Sequence, residues 1–312
     1  MLISPFFLKK QGILGMNRRN VDYINKYNQR QYYVVVDNKL NTKRMASKFN
    51  IPTPTLQGVI RYQYEILRFE KIVKDLKSFV IKPSKGAVGK GIIVVKEHSN
   101  GVFTTSSGKK ISLDNIKRHL SNILAGLYSL AGSPDVVIIE DMIETEESLK
   151  ELSFEGVPDI RVIVFKGFPV MAMLRLSTKV SDGKANLHKG GVGVGLDIKT
   201  GRALNAIQYS KPITKHPDSG INLKEISISN WKELLLLAAK CYEMTKLGYI
   251  GVDIVIDKNL GPLILEVNAR PGLAIQVANG LGLLPRLKKI EQLDLDLYFR
   301  PEDRVEQIFA LF

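Results

Sequence analysis

A single cysteine, Cys241, stands in a chain of 312 residues, so an internal disulfide and any multi-cysteine metal cluster are excluded. No apolar run approaches the ~18–20 unbroken residues that a membrane-spanning helix needs. The first ten residues, MLISPFFLKK, place lysines after the apolar residues instead of before them, which is not the order of a secretory signal. Internal repeats and low-complexity tracts are missing. So are helix-turn-helix and zinc-finger spacings, and no basic run alternates with aromatics as in a nucleic-acid groove. These absences point to a cytoplasmic globular protein with no specific nucleic-acid motif and no transmembrane segment.

What is present is apolar content and positive charge. Hydrophobic residues make up 45% of the chain, enough for one large domain or two tightly joined lobes. The formal net charge of +14 attracts polyanions: nucleotides, acidic peptides, RNA or a membrane surface. A solvated basic surface gives the same number, so charge alone names no partner.

Residues 1–36 are rich in Asn, Arg and Tyr, and Gly15 to Arg30 reads as weakly helical. Asn38 to Phe49 predicts a helix that Ile51-Pro52-Thr53-Pro54 stops. A further helical stretch precedes the strand Phe79 to Lys82; a three-glycine loop and a strand over Ile92 to Val95 follow. Leu113, Ile116, Leu120, Ile123, Leu124 and Leu127 recur at helical spacing. Val136 to Ile139 reads as a buried strand leading into the acidic segment Glu140 to Glu147. Strands are predicted over Asp159 to Phe165 and Pro169 to Leu176, then a glycine-rich loop over Gly190 to Gly195. Trp231 to Leu247 reads as an amphipathic helix and Tyr249 to Leu265 as a β-hairpin. A last helix from Pro301 has one apolar face, Val305, Ile308, Phe309 and Phe312, suited to the core or to a partner or membrane surface.

The run Lys82-Pro83-Ser84-Lys85-Gly86-Ala87-Val88-Gly89-Lys90-Gly91 is the first chemical signal. Glycines let backbone N–H groups approach an anion, and lysines bring charge to phosphate oxygens. It is not a Walker A loop, because no Ser or Thr follows Lys90 and the next residues, Ile92-Ile93-Val94-Val95, favour strand. A glycine-rich flap between two strands fits instead, with Lys82 on the incoming strand. The plain alternative is a glycine hairpin with incidental lysines.

The second signal is Glu266-Val267-Asn268. Side chains at i and i+2 of a strand share a face, so Glu266 and Asn268 point the same way. If the preceding run pairs with this one through a turn near Asn259 and Leu260, Asp253 falls roughly opposite Glu266. Three oxygen-bearing side chains without His or Cys suit magnesium. An ordinary polar residue at an exposed strand end is the alternative for Asp253.

Other motifs accompany these in order: Asn38-Lys39-Leu40, Val80-Ile81-Lys82-Pro83, Ile139-Glu140-Asp141-Met142-Ile143, Asp159-Ile160-Arg161, Asn186-Leu187-His188-Lys189-Gly190-Gly191, and Glu266 to Gly272. Over about residues 37–285 the set resembles the ATP-grasp superfamily, and especially the RimK-like α-L-glutamate ligases. A shorter group related to those ligases has a G-M-N-R-R-N stretch similar to Gly15 to Asn20. The resemblance implies an α/β (α+β) ATP-grasp fold, two α+β lobes clasping ATP between them. Its boundaries would be a partly helical extension over 1–36, an N-lobe with the flap over 37–135, a C-lobe with the metal site over 136–285, and a helical tail over 286–312.

Carried over by position, the resemblance implies that Lys39, Lys82, Gly86, Gly89 and Gly91 hold ATP phosphates. Glu140, Asp141, Met142 and Ile143 would meet the adenine edge, and either Glu147 or Asp159 the ribose hydroxyls. Asp253, Glu266 and Asn268 would bind two magnesium ions, with manganese as a substitute. Lys184 and Asn186 would face the reacting phosphate or the substrate. Arg161, Arg270 and His188 complete the implied catalytic set, although a structural hydrogen bond accounts equally for His188. Superfamily members usually carry a Rossmann-like domain before the first lysine, whereas residues 1–36 alone precede it here. Asn38 replaces the usual Asp, and Arg270 stands where ribosomal-protein glutamate ligases have a small residue; in other branches such an arginine steadies an acyl phosphate.

The activity so implied is ligation. A carboxylate attacks the γ-phosphate, giving an acyl phosphate and ADP, and an amine displaces phosphate to form an amide. Glutamate or another amino acid would be added to an acidic acceptor, a small molecule or an acidic protein or peptide. Other classes stay open: an ATP-binding regulatory or polyanion-binding module without turnover, and an ATP-dependent phosphotransferase.

Overall fold

The computed structural model describes residues 5–86, 89–129, 132–298 and 300–312. Ala87 and Val88, in the middle of the expected flap, and the first four residues of the expected extension lie outside the described residues. The fold is mixed α+β, with two antiparallel sheets and their helices. Two compact units form. The smaller is Asp37–Lys43 with Thr53–Glu144; the larger is the chain up to Val36, Arg44–Pro52 and Thr145–Phe312.

The smaller unit holds β1 (Leu56–Ile60), β2 (Phe79–Pro83), β3 (Ile93–Ser99), β4 (Val102–Thr105), β5 (Lys110–Ser112) and β6 (Val137–Glu140), in the order β1-β6-β2-β3-β4-β5. All four β6 residues are buried, which suits an internal strand covered on both faces. Residues 136–144, expected in the second lobe, therefore fold with this unit. The Leu113–Leu124 helix starts on Ser112, whose hydroxyl accepts from the Asn115 N–H. Its buried side chains Ile116, Leu120, Ile123 and Leu124 join Phe69, Phe79 and Phe103 in one core. Strands β1, β4 and β5 are short and half-exposed, and their sequences give no strong alternation.

The larger unit holds β7 (Asp159–Phe165), β8 (Phe168–Leu176), β9 (Val192–Leu196), β10 (Ala203–Gln208), β11 (Lys211–Ile213), β12 (Tyr249–Asp257) and β13 (Gly261–Asn268). Their order is β11-β10-β9-β8-β7-β12-β13. The predicted glycine loop over Gly190 to Gly195 is largely strand β9. Val192, Val194 and Leu196 supply its buried residues, and a side chain at Gly195 would stand 2.3 Å from the Ala278 carbonyl. The glycines there admit a neighbouring helix, Ile275–Asn279, instead of bending a loop.

The Trp231–Thr245 helix buries most of its surface, Leu234, Leu235, Ala238 and Cys241 among them. Residues 16–27 are helical, with a wide π turn over Arg19–Ile24 that sends Tyr23 and Ile24 into the core. The Tyr23 ring meets Phe165 edge-on at 5.5 Å. The Pro301–Leu311 helix turns Val305 and Ile308 inward and packs Phe309 and Phe312 on the same core. No helix among the described residues is long and apolar enough to cross a membrane.

Candidate active site

Among the described residues, each unit carries a buried cluster of charge on its central strands. In the smaller unit, Lys82 on β2 ion-pairs with Oε1 of Glu140 on β6, and Lys43 Nζ lies 2.7 Å from Oε2. The three side chains are 5%, 3% and 9% exposed. Burial opposes the charge on Glu140, but Lys82 and Lys43 together hold its carboxyl below the usual range. Burial likewise pulls Lys43 below the ordinary lysine value, against the attraction of Glu140. Lys43 also donates to the Pro54 carbonyl at 2.5 Å.

The flap is stapled at both feet. Lys39, first residue of the Lys39–Lys48 helix, donates its backbone N–H to the Ser84 carbonyl and its Nζ to the Gly86 carbonyl at 2.6 Å. Asn38 accepts from the N–H groups of Leu40 and Asn41, so the amide replaces the usual aspartate as a cap. Asp135 accepts from the Lys85 N–H at 2.9 Å and from the Ser129 hydroxyl. At the far foot, His119 Nε2 donates to the Gly91 carbonyl at 2.9 Å and the Tyr128 hydroxyl meets Nδ1. Gly91 has φ +75°, and a side chain there would meet the Tyr128 ring at 2.6 Å. Gly89 also has positive φ, and Gly86 bridges to Ser129. Beyond β6, Asp141 accepts from Gln57 at 2.6 Å, and Met142 and Ile143 are half-buried.

In the larger unit, Asp253 on β12 pairs with Glu266 on β13. A register shift after Asp253 makes this pairing, since Ile254 faces Ile264 and Leu265 is the extra residue. Asn268 follows on the Glu266 face, and its amide nitrogen donates to Asp253 Oδ2 at 3.2 Å. Two arginines converge on the same carboxylate. Arg161 on β7 grips it with Nε and with Nη2 at 2.7 Å. Arg175 on β8 reaches Asp253 Oδ2 at 2.8 Å and Asp159 Oδ1 at 2.5 Å.

Burial raises the Asp159 carboxyl to about 6, with Arg175 only partly offsetting it. Burial acts on Asp253 too, but two guanidinium groups outweigh it and hold that carboxyl below the usual range. Gly251 makes room for this arrangement, since a side chain would stand 2.6 Å from Pro271 and 3.1 Å from Arg161. The N-terminal segment pins the same region. Asn28 bonds the backbone of Tyr249 and Ala269, and Arg19 donates to the Pro271 carbonyl at 2.8 Å.

The structure thus brings Asp253, Glu266, Asn268, Arg161 and Asp159 together, and separately Lys82 with Glu140 and Lys39 with Gly86. Arg270 is exposed, its guanidinium 4.5 Å over the Tyr33 ring. Glu147 is exposed and 3.7 Å from Lys150. Lys184, Asn186 and His188 make local contacts: Lys184 with Asp182, and Asn186 with the N–H of an exposed His188. Lys43, Arg175, Asp135 and Arg19 were not singled out by sequence. Two left a trace: Lys43 follows Lys39 by one helical turn, and Arg175 pairs directly with Asp159 in the β7–β8 register.

Among the described residues no group of three or more His, Cys, Asp or Glu gathers to cage a metal ion. The donor set at the hairpin is two carboxylates and an amide, hard oxygen chemistry that fits magnesium in kind. The arginines on Asp253 supply the positive charge that this carboxylate requires when buried.

The sequence matches the family described as sugar-transfer associated ATP-grasp over residues 18–292. The chain belongs to this family. The narrower likeness to the RimK-like glutamate ligases remains one of motifs. No curated protein sequence matches the chain. Similar solved structures include the ATP-grasp ligase PsnB complexed with a minimal precursor, at 14% identity, 84% of this chain, 61% of that chain and TM-score 0.45. Another is D-alanine–D-alanine ligase from Helicobacter pylori, at 17%, 84%, 63% and 0.46. A third is the D-cycloserine synthetase DcsG, at 12%, 88%, 70% and 0.45. The chain spans about three fifths of the length of the first two.

Proposed function

We propose that this ATP-grasp chain is an ATP- and magnesium-dependent ligase that joins a carboxylate to an amine through an acyl phosphate. The β12–β13 register carries the reading: it sets Glu266 across from Asp253 with Asn268 on the same face, beside two arginines. Glu266, Asn268 and Asp253 would hold two magnesium ions, which supply charge neutralisation at the β- and γ-phosphates when bound. Lys39, Lys82 and the glycines Gly86, Gly89 and Gly91 hold phosphates. The segment Glu140 to Ile143 meets adenine. Glu147 takes the ribose hydroxyls in preference to Asp159, whose carboxylate is engaged by Arg175.

Arg161 and Arg270 offset charge developing on the acyl phosphate, and Lys184, Asn186 and His188 face the substrate. Glutamate or another amino acid joined to an acidic acceptor suits the basic chain, as in the RimK-like ligases. Because the family is described as sugar-transfer associated, amino and acidic sugars join these as candidates to test. A panel of amino acids, acidic peptides and amino or acidic sugars, assayed for ADP release, tests this. ADP that forms only with a matched acid and amine supports ligation; ADP with a single acceptor and a phosphorylated product would replace it with phosphotransfer. ATP binding with no ADP from any pair would leave a regulatory module.

A further inference from the structure

Lys43, Lys82 and Glu140 are all under a tenth exposed, and their charges sum to one excess positive. Asp141, half-buried, is a further carboxylate acting on Lys43 but the weakest of the influences on it, so the excess is met only in part. A buried charge so poorly matched is costly and marks a place for an anion. Lys82 stands on β2, the strand that leads into the flap. Lys43 is held on its other side by the Pro54 carbonyl at 2.5 Å, and its distance to Glu140 Oε2 is 2.7 Å. The Lys43 ammonium is therefore held by two partners, whereas among the described residues Lys82 has Glu140 as its one ion-pair partner.

We propose that Lys43 is a positioning residue of the phosphate site, keeping Glu140 neutralised while Lys82 turns from that carboxylate to an incoming phosphate. The proposal rests on the ATP reading above. Without ligand, Glu140 shares two ammonium groups. With phosphate bound, Lys82 moves to the phosphate oxygens and Lys43 alone remains on Glu140. Removing Lys43 makes Lys82 the only counter-ion of a buried carboxylate, and its departure would strand that charge. Lys82 then stays where it is, and phosphate binding weakens.

Titration calorimetry of the full chain with inorganic tripolyphosphate and with ATP tests this; tripolyphosphate has no adenine and reads the phosphate contacts alone. Lys43→Met is expected to weaken tripolyphosphate binding about tenfold, while Lys43→Arg stays within about threefold of wild type. On a Glu140→Gln background the same Lys43→Met change is expected to matter less than about twofold, because no charge is left to strand. Equal losses on both backgrounds, or no loss on the native one, would overturn the proposal. If Lys43→Met alone does not fold, Glu140→Gln and the double variant are compared, and a difference above about threefold overturns it. Lys82→Met separates the two levels. If it leaves both ligands bound as tightly as before, the ATP reading itself fails; if it weakens them while Lys43→Met does not, only the role of Lys43 is lost.

Discussion

The two buried clusters differ in balance and in kind. The smaller unit sets two ammonium groups on one carboxylate; the larger sets two guanidinium groups on two carboxylates. Ammonium is a point charge on a flexible stem, whereas a guanidinium fork fixes direction as well as charge. The lysine cluster has an unspent positive charge and can exchange partners. The arginine cluster is balanced and holds geometry, aiming Asp253 toward Glu266 and Asn268. One is suited to receiving an anion; the other would, on the proposed function, frame the place of a cation.

Breaking the balanced cluster has the largest expected effect. Arg175→Met leaves Asp159 and Asp253, both buried, with Arg161 as their sole guanidinium, and is expected to cost about 3–5 kcal/mol in urea unfolding. Lys43→Met is expected to cost less, because Lys82 and Glu140 remain as a neutral pair. Equal costs would erase the contrast between exchange and framing. Glu266→Ala comes next. Glu266 is half-buried and stands beside the ion-pair network, so stability should stay within about 1 kcal/mol of wild type. ADP release with a productive substrate pair should fall at least about 100-fold. Turnover that survives this change would move the cation site elsewhere. The tenfold loss expected for Lys43→Met in tripolyphosphate binding is smaller again.

The hairpin was legible because two apolar runs flank a short polar turn, and a strand's alternation puts Glu266 and Asn268 on one side. Its bulge at Leu265 was not, since a bulge changes no residue type, yet it brings Glu266 opposite Asp253. Lys82 is legible from the motif; the ion pair of Glu140 is not, since it depends on a β2–β6 pairing across more than fifty residues of chain. Arg175 is hidden for the same reason: the sequence shows β7 and β8 as strands but not the register that sets Arg175 beside Asp159. The glycines of Val192–Leu196 look like a loop in sequence because composition does not distinguish a turn from a strand closely approached by a helix. At the two feet of the flap, Asp135 and His119 come from a distant segment and a helix, so no local pattern announces them.

The finest distinction between the clusters is in their titration. The folded Asp159 carboxyl is raised to about 6 from 3.8. Its contribution to stability is therefore full below about pH 4 and lost as pH rises through about 6. Glu140 is held below 4.5, so its contribution is present above that value and lost as pH falls through the lowered one. His119 and His216 are also held low by burial, so each lowers stability as pH falls, in every variant alike. The informative quantity is thus the melting temperature of wild type minus that of a variant. Against Asp159→Asn, the difference should move in favour of wild type from pH 7 to pH 5, by about 1 kcal/mol or roughly 2–4 °C. Against Glu140→Gln, it should hold steady over that interval and move against wild type below pH 4.5. A flat Asp159 difference between pH 5 and 7 would make its carboxylate an ordinary paired one. The balanced cluster would then have two fully charged aspartates, with Asp253 no longer the favoured claimant on the arginines.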